Sequence, residues 1–152
     1  VQAQFTVYRE ARFNNTVGFY RVNNPEGAIT DPLTGAVLTP GQGGYTEAAL
    51  RNRVAGIDLS VPNQGVTTAT GQFEAGSIFA PFIIVDGSLA AFLDDDTSNN
   101  PDVYFPYLNA NPGAVDHVRL LGNNLFGFED LANGGDRDYN DLIVRIQLTP
   151  TV

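Results

Sequence analysis

The pattern of hydrophobic and polar positions differs between the ends of the chain and its middle. Over residues 1–8 every second side chain is apolar, which is typical of a half-buried β-strand. The same alternation over residues 142–148 predicts a second strand of this kind. Residues 78–85 instead form an almost continuous apolar run, which is too apolar for a surface strand, and Pro81 within it favours an edge or a bulge.

Turn-forming residues divide the rest of the chain into short segments. Residues 46–54 predict the one helix, because Thr46 can cap it, Glu47 lies in the first turn, and Gly56 follows its end. Residues 28–39 predict a hairpin around a Pro- and Gly-containing turn. The other predicted strands are residues 16–22, 57–61, 66–74, 103–108, 116–121 and 124–129.

Many short strands, together with 16 Gly and 9 Pro, predict an all-β fold. We expect an antiparallel, jelly-roll-like β-sandwich with one short α-helix. The length of 152 residues suits a single domain, residues 1–152. No apolar run approaches the roughly 18 residues of a membrane span, so no membrane insertion is expected.

Composition narrows the classes of function. The net charge of −9 leaves no basic surface for nucleic acid or for anionic lipid. The absence of Cys excludes disulfides, zinc–thiolate sites and a Cys nucleophile. Thirteen of the 17 acidic residues lie in residues 54–152, and they are clustered. Like charges packed so closely need solvent, Arg partners or a cation.

The segment between the last two predicted strands carries the strongest chemical signal. Oxygen-bearing side chains at alternate positions of residues 136–141 let a curved loop direct them at one point. Gly134 and Gly135 permit the backbone angles that begin such a curve. Calcium takes six to eight oxygen ligands of this kind. The predicted Ca²⁺ ligands are Glu129, Asp130, Asp136, Asp138, Asn140 and Asp141, with Asp116 as a further candidate.

The loop differs from other metal-binding motifs in the ligands that it offers. An EF-hand is excluded because Asp141 stands where that loop needs Gly and Gln147 where it needs Glu, and because the flanking segments are strands. Magnesium accepts fewer protein ligands, and zinc is disfavoured in a chain with no Cys and a single His, His117. An acidic turn without a metal, closed by its own Asp side chains, stays open as an alternative.

The same segment resembles the signature of the domain of unknown function 4114 family. The resemblance rests on residues 128–131 and 134–141 and continues upstream over most of the chain. It implies an extracellular, β-rich, calcium-binding module of exported bacterial proteins, with no established catalysis, and it carries the acidic signature over to the six loop residues named above. The upstream segments of the resemblance are residues 16–22, 40–50, 104–105, 109–111 and 116–118.

The N-terminal strand allows two arrangements. Residues 1–8 either pair within their own sheet or extend into a neighbouring subunit and fill an open sheet edge there. A head-to-tail contact of the second kind does not close, so it builds a filament. The chain starts at Val1 and contains no Met, which fits a processed export substrate or an excised domain.

These observations predict a non-enzymatic, calcium-stabilised structural module, located extracellularly or at the cell surface. As a homo-oligomer it would form a filament or surface layer through residues 1–8. The alternative is a calcium-dependent carbohydrate- or ligand-binding adhesin module. A secreted hydrolase is a third hypothesis, and it would need Glu129 or Asp116 in a deep cleft.

The remaining candidate residues have simpler explanations. His117 lies beside Asp116 without a nearby Ser or Cys nucleophile, so we expect it to pack on the acidic loop. Residues 94–96 form either a weak cation site or a solvated loop. The aromatic side chains of residues 104–107 favour core packing over sugar stacking. Asn14 begins a glycosylation sequon whose use the sequence does not decide.

Overall fold

The computed structural model describes residues 1–151, and Val152, the last residue of the predicted domain, lies outside the described residues. The chain forms short antiparallel strands with one seven-residue helix and a second helix of five residues, which confirms the predicted all-β fold. The elements are β1 Gln2–Tyr8, β2 Thr16–Val22, β3 Ile29–Thr30, β4 Val37–Leu38, α1 Tyr45–Arg51, β5 Val66–Gln72, β6 Ile78–Ile84, α2 Leu89–Leu93, β7 Val103–Tyr104, β8 Val118–Gly122, β9 Leu125–Phe128 and β10 Leu142–Thr149.

The larger sheet has five strands in the order β5-β1-β10-β9-β8. Every residue of β1 is in register with β10 on one side and with β5 on the other. Both edges of this strand are thus paired within the chain, which is the first of the two arrangements considered for residues 1–8. The alternation in β1 reflects the burial of Ala3, Phe5 and Val7 on the inner face of the sheet.

The smaller sheet, in the order β2-β6-β7, packs against the inner face of the larger one. Phe5 of the large sheet stacks on Phe19 of the small sheet, with ring centroids 5.8 Å apart. A second core lies on the opposite face of the small sheet, where α1 and β3 cover Tyr20 and Phe82. Because both faces of this sheet are buried, β6 has the continuous apolar run seen in the sequence.

At Pro81, which is buried, one edge of β6 is not paired with another strand of the described residues. The strand pairs with β2 along its full length, but β7 covers only Ile83 and Ile84. At Pro81 the strand therefore has one neighbour, which is where a residue without an N–H is tolerated.

Three predicted elements differ from the structure. Residues 57–61 alternate in burial like a strand, but they form only an isolated bridge between Leu59 and Val17. Helix α1 begins at Tyr45 rather than Thr46, and its N-cap is Gly44, with a φ of 84° and no side-chain cap. The strand predicted over residues 103–108 ends after two residues and gives way to 3-10 turns. No helix within residues 1–151 is long and apolar enough to cross a membrane.

Candidate metal centre

The acidic loop connects β9 to β10, and its two ends are fixed by the strand pairing. Leu142 is in register with Phe128, so Glu129 and Asp141 lie at the base of the loop on its two arms. The backbone N–H of Glu129 donates to the carbonyl of His117 at 2.9 Å. The first acidic residue of the loop is therefore held by the β8 side of the sheet.

The loop curves through an alternation of left-handed residues. Gly135, Arg137 and Tyr139 have φ values of 53°, 60° and 56°. Between them, Asp136 Oδ1 accepts the N–H of Asp138 at 3.4 Å, and Asp138 Oδ1 accepts the N–H of Asn140 at 3.3 Å. A left-handed residue other than Gly costs roughly 1–2 kcal/mol, so the surroundings must hold this conformation in place.

The curve brings three of the predicted ligands together. One carboxylate oxygen each from Glu129, Asp136 and Asp138 lies within 4.8 Å of the other two. Calcium binds oxygen at roughly 2.3–2.6 Å, so two ligands on opposite sides of one ion are about 4.8 Å apart. The three oxygens can therefore belong to one coordination shell, and a donor set made only of oxygen suits a hard cation.

Glu129 is the buried member of this group, and its side chain is 1% exposed. Its Oε1 accepts the backbone N–H of Tyr139 at 2.7 Å, which fixes the carboxylate against the returning arm of the loop. A Cβ at Gly135 would lie 2.7 Å from Glu129 Oε2. Gly135 is therefore required both by its positive φ and by the close approach of this carboxylate.

A second set of polar side chains continues the cluster toward the other sheet. Asp141 Oδ2 accepts the backbone N–H of Asp130 at 2.8 Å. The amide of Asn15, which is fully buried, donates to Asp130 Oδ2 at 2.7 Å. Asn15 Oδ1 in turn accepts the N–H of Asp86 at 3.1 Å. Sequence reasoning missed Asn15, and no local signal around it indicates a contact with this loop.

The charges of the cluster are not balanced by the protein. Burial raises the pKa of Glu129, and the neighbouring charges of Asp136 and Asp138 raise it further. Burial, followed by the charges of Asp130 and Glu129, also raises the pKa of Asp141. Among residues 1–151, no Arg or His nitrogen forms an ion pair within 4 Å of any of these five carboxylates. A bound cation would supply the missing positive charge.

Asp116 and Asn140 each form hydrogen bonds with residues outside the three converging carboxylates. The carboxylate of Asp116 accepts from Arg119 at 3.0 Å and from the Tyr139 hydroxyl at 3.2 Å, so it has its own partners. The backbone carbonyl of Asn140 accepts the N–H of Glu10 at 3.3 Å and ties the loop to the end of β1.

His117 packs beneath the loop, as expected. Its ring lies flat on Tyr104, with centroids 3.5 Å apart and an interplanar angle of 1°. Its Nδ1 lies 3.0 Å from the carbonyl oxygen of Glu129, and burial lowers its pKa, which favours the neutral ring. Tyr104 and Phe105 are buried in the core and are not available to stack on a sugar.

The family model described as Domain of unknown function (DUF4114) matches residues 73–149. This range covers half of the chain. The chain belongs to the DUF4114 family. The matched range includes β6 to β10 and the whole acidic loop, whereas β1 to β5 lie outside it. No curated protein and no solved structure shows significant similarity to the chain.

Proposed function

We propose that this DUF4114 module is a non-enzymatic structural protein whose β9–β10 loop binds Ca²⁺. The observation that carries the proposal is the convergence of the buried Glu129 with Asp136 and Asp138, none of which forms an ion pair within residues 1–151. Burying an unbalanced carboxylate is costly, and a divalent ion removes that cost. Asp130, Asn140 and Asp141 are retained as further candidate ligands or supports of the loop.

The ion would cross-link the two arms of the loop. It would join Glu129, next to β9, to Asp136 and Asp138 on the returning arm, and it would neutralise charges that otherwise repel. Because the unfolded chain lacks this arrangement, binding adds stability that grows with free Ca²⁺, by about 2.7 kcal/mol at one hundred times the Kd. Extracellular modules use sites that fill at roughly 10⁻⁴–10⁻³ M Ca²⁺.

The melting temperature of the full chain with Ca²⁺ and with a chelator tests this function. We expect a large decrease in the chelator. The double variant Asp136→Asn/Asp138→Asn should lose that difference, whereas the control Asp58→Asn/Glu26→Gln, which removes two exposed acids outside the acidic clusters, should keep it. An identical melting temperature in both buffers would contradict the proposal.

The proposal includes an extracellular or cell-surface location and self-assembly into a filament or layer. Since β1 is paired on both sides, assembly would use the outer edges of the large sheet, β5 and β8. The exposed faces of β1 and β5 support this route because they carry Thr, Gln and Val and no acidic residue, so copies with a net charge of −9 can approach there. Electron micrographs in Ca²⁺ should show fibres or sheets, and single particles would contradict assembly.

The alternative is a calcium-dependent carbohydrate-binding adhesin module. The specific observation that favours it is the exposure of Asp136 and Asp138, because an ion bound there is accessible from solvent and could also contact sugar hydroxyls. A glycan array with and without Ca²⁺ distinguishes the two functions. Binding that disappears in the chelator would favour the adhesin.

A further inference from the structure

Arg9, which directly follows β1, is buried without a counter-charge. The residue is 5% exposed, and within residues 1–151 it takes part in no ion pair. Its Nη1 donates to Asn14 Oδ1 at 2.6 Å, while its Nε is buried and has no hydrogen-bond partner. Arginine is rarely buried to this extent unless it is paired, since removing the guanidinium from water is costly.

The unpaired guanidinium lines a cavity of about 430 Å³. A volume of this size lies within the range of small-molecule sites. Of the described residues, none of those that line the cavity is acidic, although the protein has 17 acidic side chains. Besides Arg9, its wall includes Asn14, Ser60, Val61, Pro62 and Asn63.

Polar groups with unused hydrogen-bonding capacity surround the guanidinium. Asn63 Oδ1 accepts the backbone N–H of Ala11 at 3.1 Å, which orients the amide and leaves its nitrogen free to donate. The carboxylate of Asp86 accepts the backbone N–H of Asn14 at 3.1 Å, and within residues 1–151 it forms no ion pair with Arg9. Ser60 and Pro62 are exposed, so the mouth of the cavity is open to solvent.

We propose that this cavity binds the carboxylate of a small hydroxylated acid, a uronic acid being the class of ligand that suits it. The planar guanidinium matches a carboxylate, the Asn and Ser side chains match sugar hydroxyls, and the exposed Pro62 offers an apolar surface to the ring. The inference goes beyond calcium binding, because none of the three converging carboxylates lines this cavity.

Titrations of the ¹⁵N-labelled full chain, in excess Ca²⁺ and at constant ionic strength, test the site. D-glucuronate should shift the amide resonances around residues 9–15 and 60–63. D-glucose, which lacks the carboxylate, should not shift them, and acetate, which lacks the hydroxyls, should bind more weakly. If glucose bound as tightly as glucuronate, the proposal would be overturned. If acetate bound as tightly as glucuronate, the assignment to a sugar acid would be overturned.

Variants separate this site from the metal centre. Arg9→Met should weaken glucuronate binding at least about tenfold, whereas Arg12→Met, an exposed neighbour, should leave it unchanged. Ser60→Ala, at the exposed mouth, should weaken binding without affecting folding. Asp136→Asn/Asp138→Asn should bind glucuronate as the wild type does. The glucuronate test therefore remains valid even if the acidic loop does not bind Ca²⁺. An equal loss in Arg9→Met and Arg12→Met would overturn the inference.

Discussion

Asn15 donates a 2.7 Å hydrogen bond to the carboxylate of Asp130, which lies 115 residues further along the chain. Asn15 directly precedes β2 of the three-stranded sheet, and Asp130 lies just beyond β9 of the five-stranded sheet. Both residues are buried. This contact therefore joins the two layers of the sandwich at the base of the acidic loop, so the loop geometry depends on how the sheets pack.

Replacing Asn15 with Ala should destabilise the protein by about 1–3 kcal/mol, because the change leaves the Asp130 carboxylate and the Asp86 N–H without partners. Urea unfolding in excess Ca²⁺ measures the change. Asn23→Ala, which removes an exposed amide with one side-chain contact, is the control and should cost less than half as much. Equal losses would show that Asn15 has no special role.

Substitution of Gly135, with Gly76 as the control position, tests the close approach of the Glu129 carboxylate to the backbone at Gly135. Both have positive φ, 53° and 79°, but a Cβ at Gly76 meets no atom within 4 Å, whereas one at Gly135 meets the Glu129 carboxylate. Gly76→Ala should cost about 1 kcal/mol from backbone strain alone. Gly135→Ala should cost more and also weaken calcium binding, as calorimetric titration would detect. Unchanged calcium affinity in Gly135→Ala would place the ion away from Glu129.

Glu129→Gln should change stability in opposite directions with and without calcium. In a chelator the variant should be more stable than the wild type, because it removes a buried carboxylate whose pKa is raised by burial and by Asp136 and Asp138. In Ca²⁺ it should lose at least about tenfold in affinity, which corresponds to about 1.4 kcal/mol. Melting curves under both conditions measure the two effects. A lower melting temperature in both would argue against a charge-based role.

The paired hydroxyls of Tyr20 and Tyr45, 3.1 Å apart in the second core, predict alkaline unfolding. Burial raises the pKa of Tyr20, and it raises the pKa of Tyr45 to about 12, from a usual value of 10.0. A folded-state pKa above the unfolded one means that stability is fully present below pH 10 and is lost as the pH rises toward 12. Denaturant unfolding across this range should show the loss, and Tyr20→Phe should make it shallower. A pH-independent midpoint would contradict the prediction.

Local patterns in the chain predicted most strands and the acidic loop. The period-two alternation of β1 and β10 and the apolar run of β6 follow from which faces are buried, and burial is encoded residue by residue. The proximity of Asp136 to Asp138 follows from their spacing in one short segment, whereas the packing of the two sheets holds the base of the loop. Residues 57–61 show the limit of this reasoning, since they alternate in burial but have no full neighbouring strand.

The amino-acid sequence by itself determined the β-rich class, the acidic loop and the types of ligand it offers, because these depend on neighbouring residues. Only the tertiary structure decided that β1 is paired on both edges, that Asp116 binds Arg119, that Asn15 reaches Asp130 and that Arg9 is buried without an acid. An alternating pattern identifies the buried face of a strand but not its neighbours. The neighbours of a strand are set by packing between segments that are far apart in the chain. Many weak contacts between such segments together determine which polar groups are removed from water.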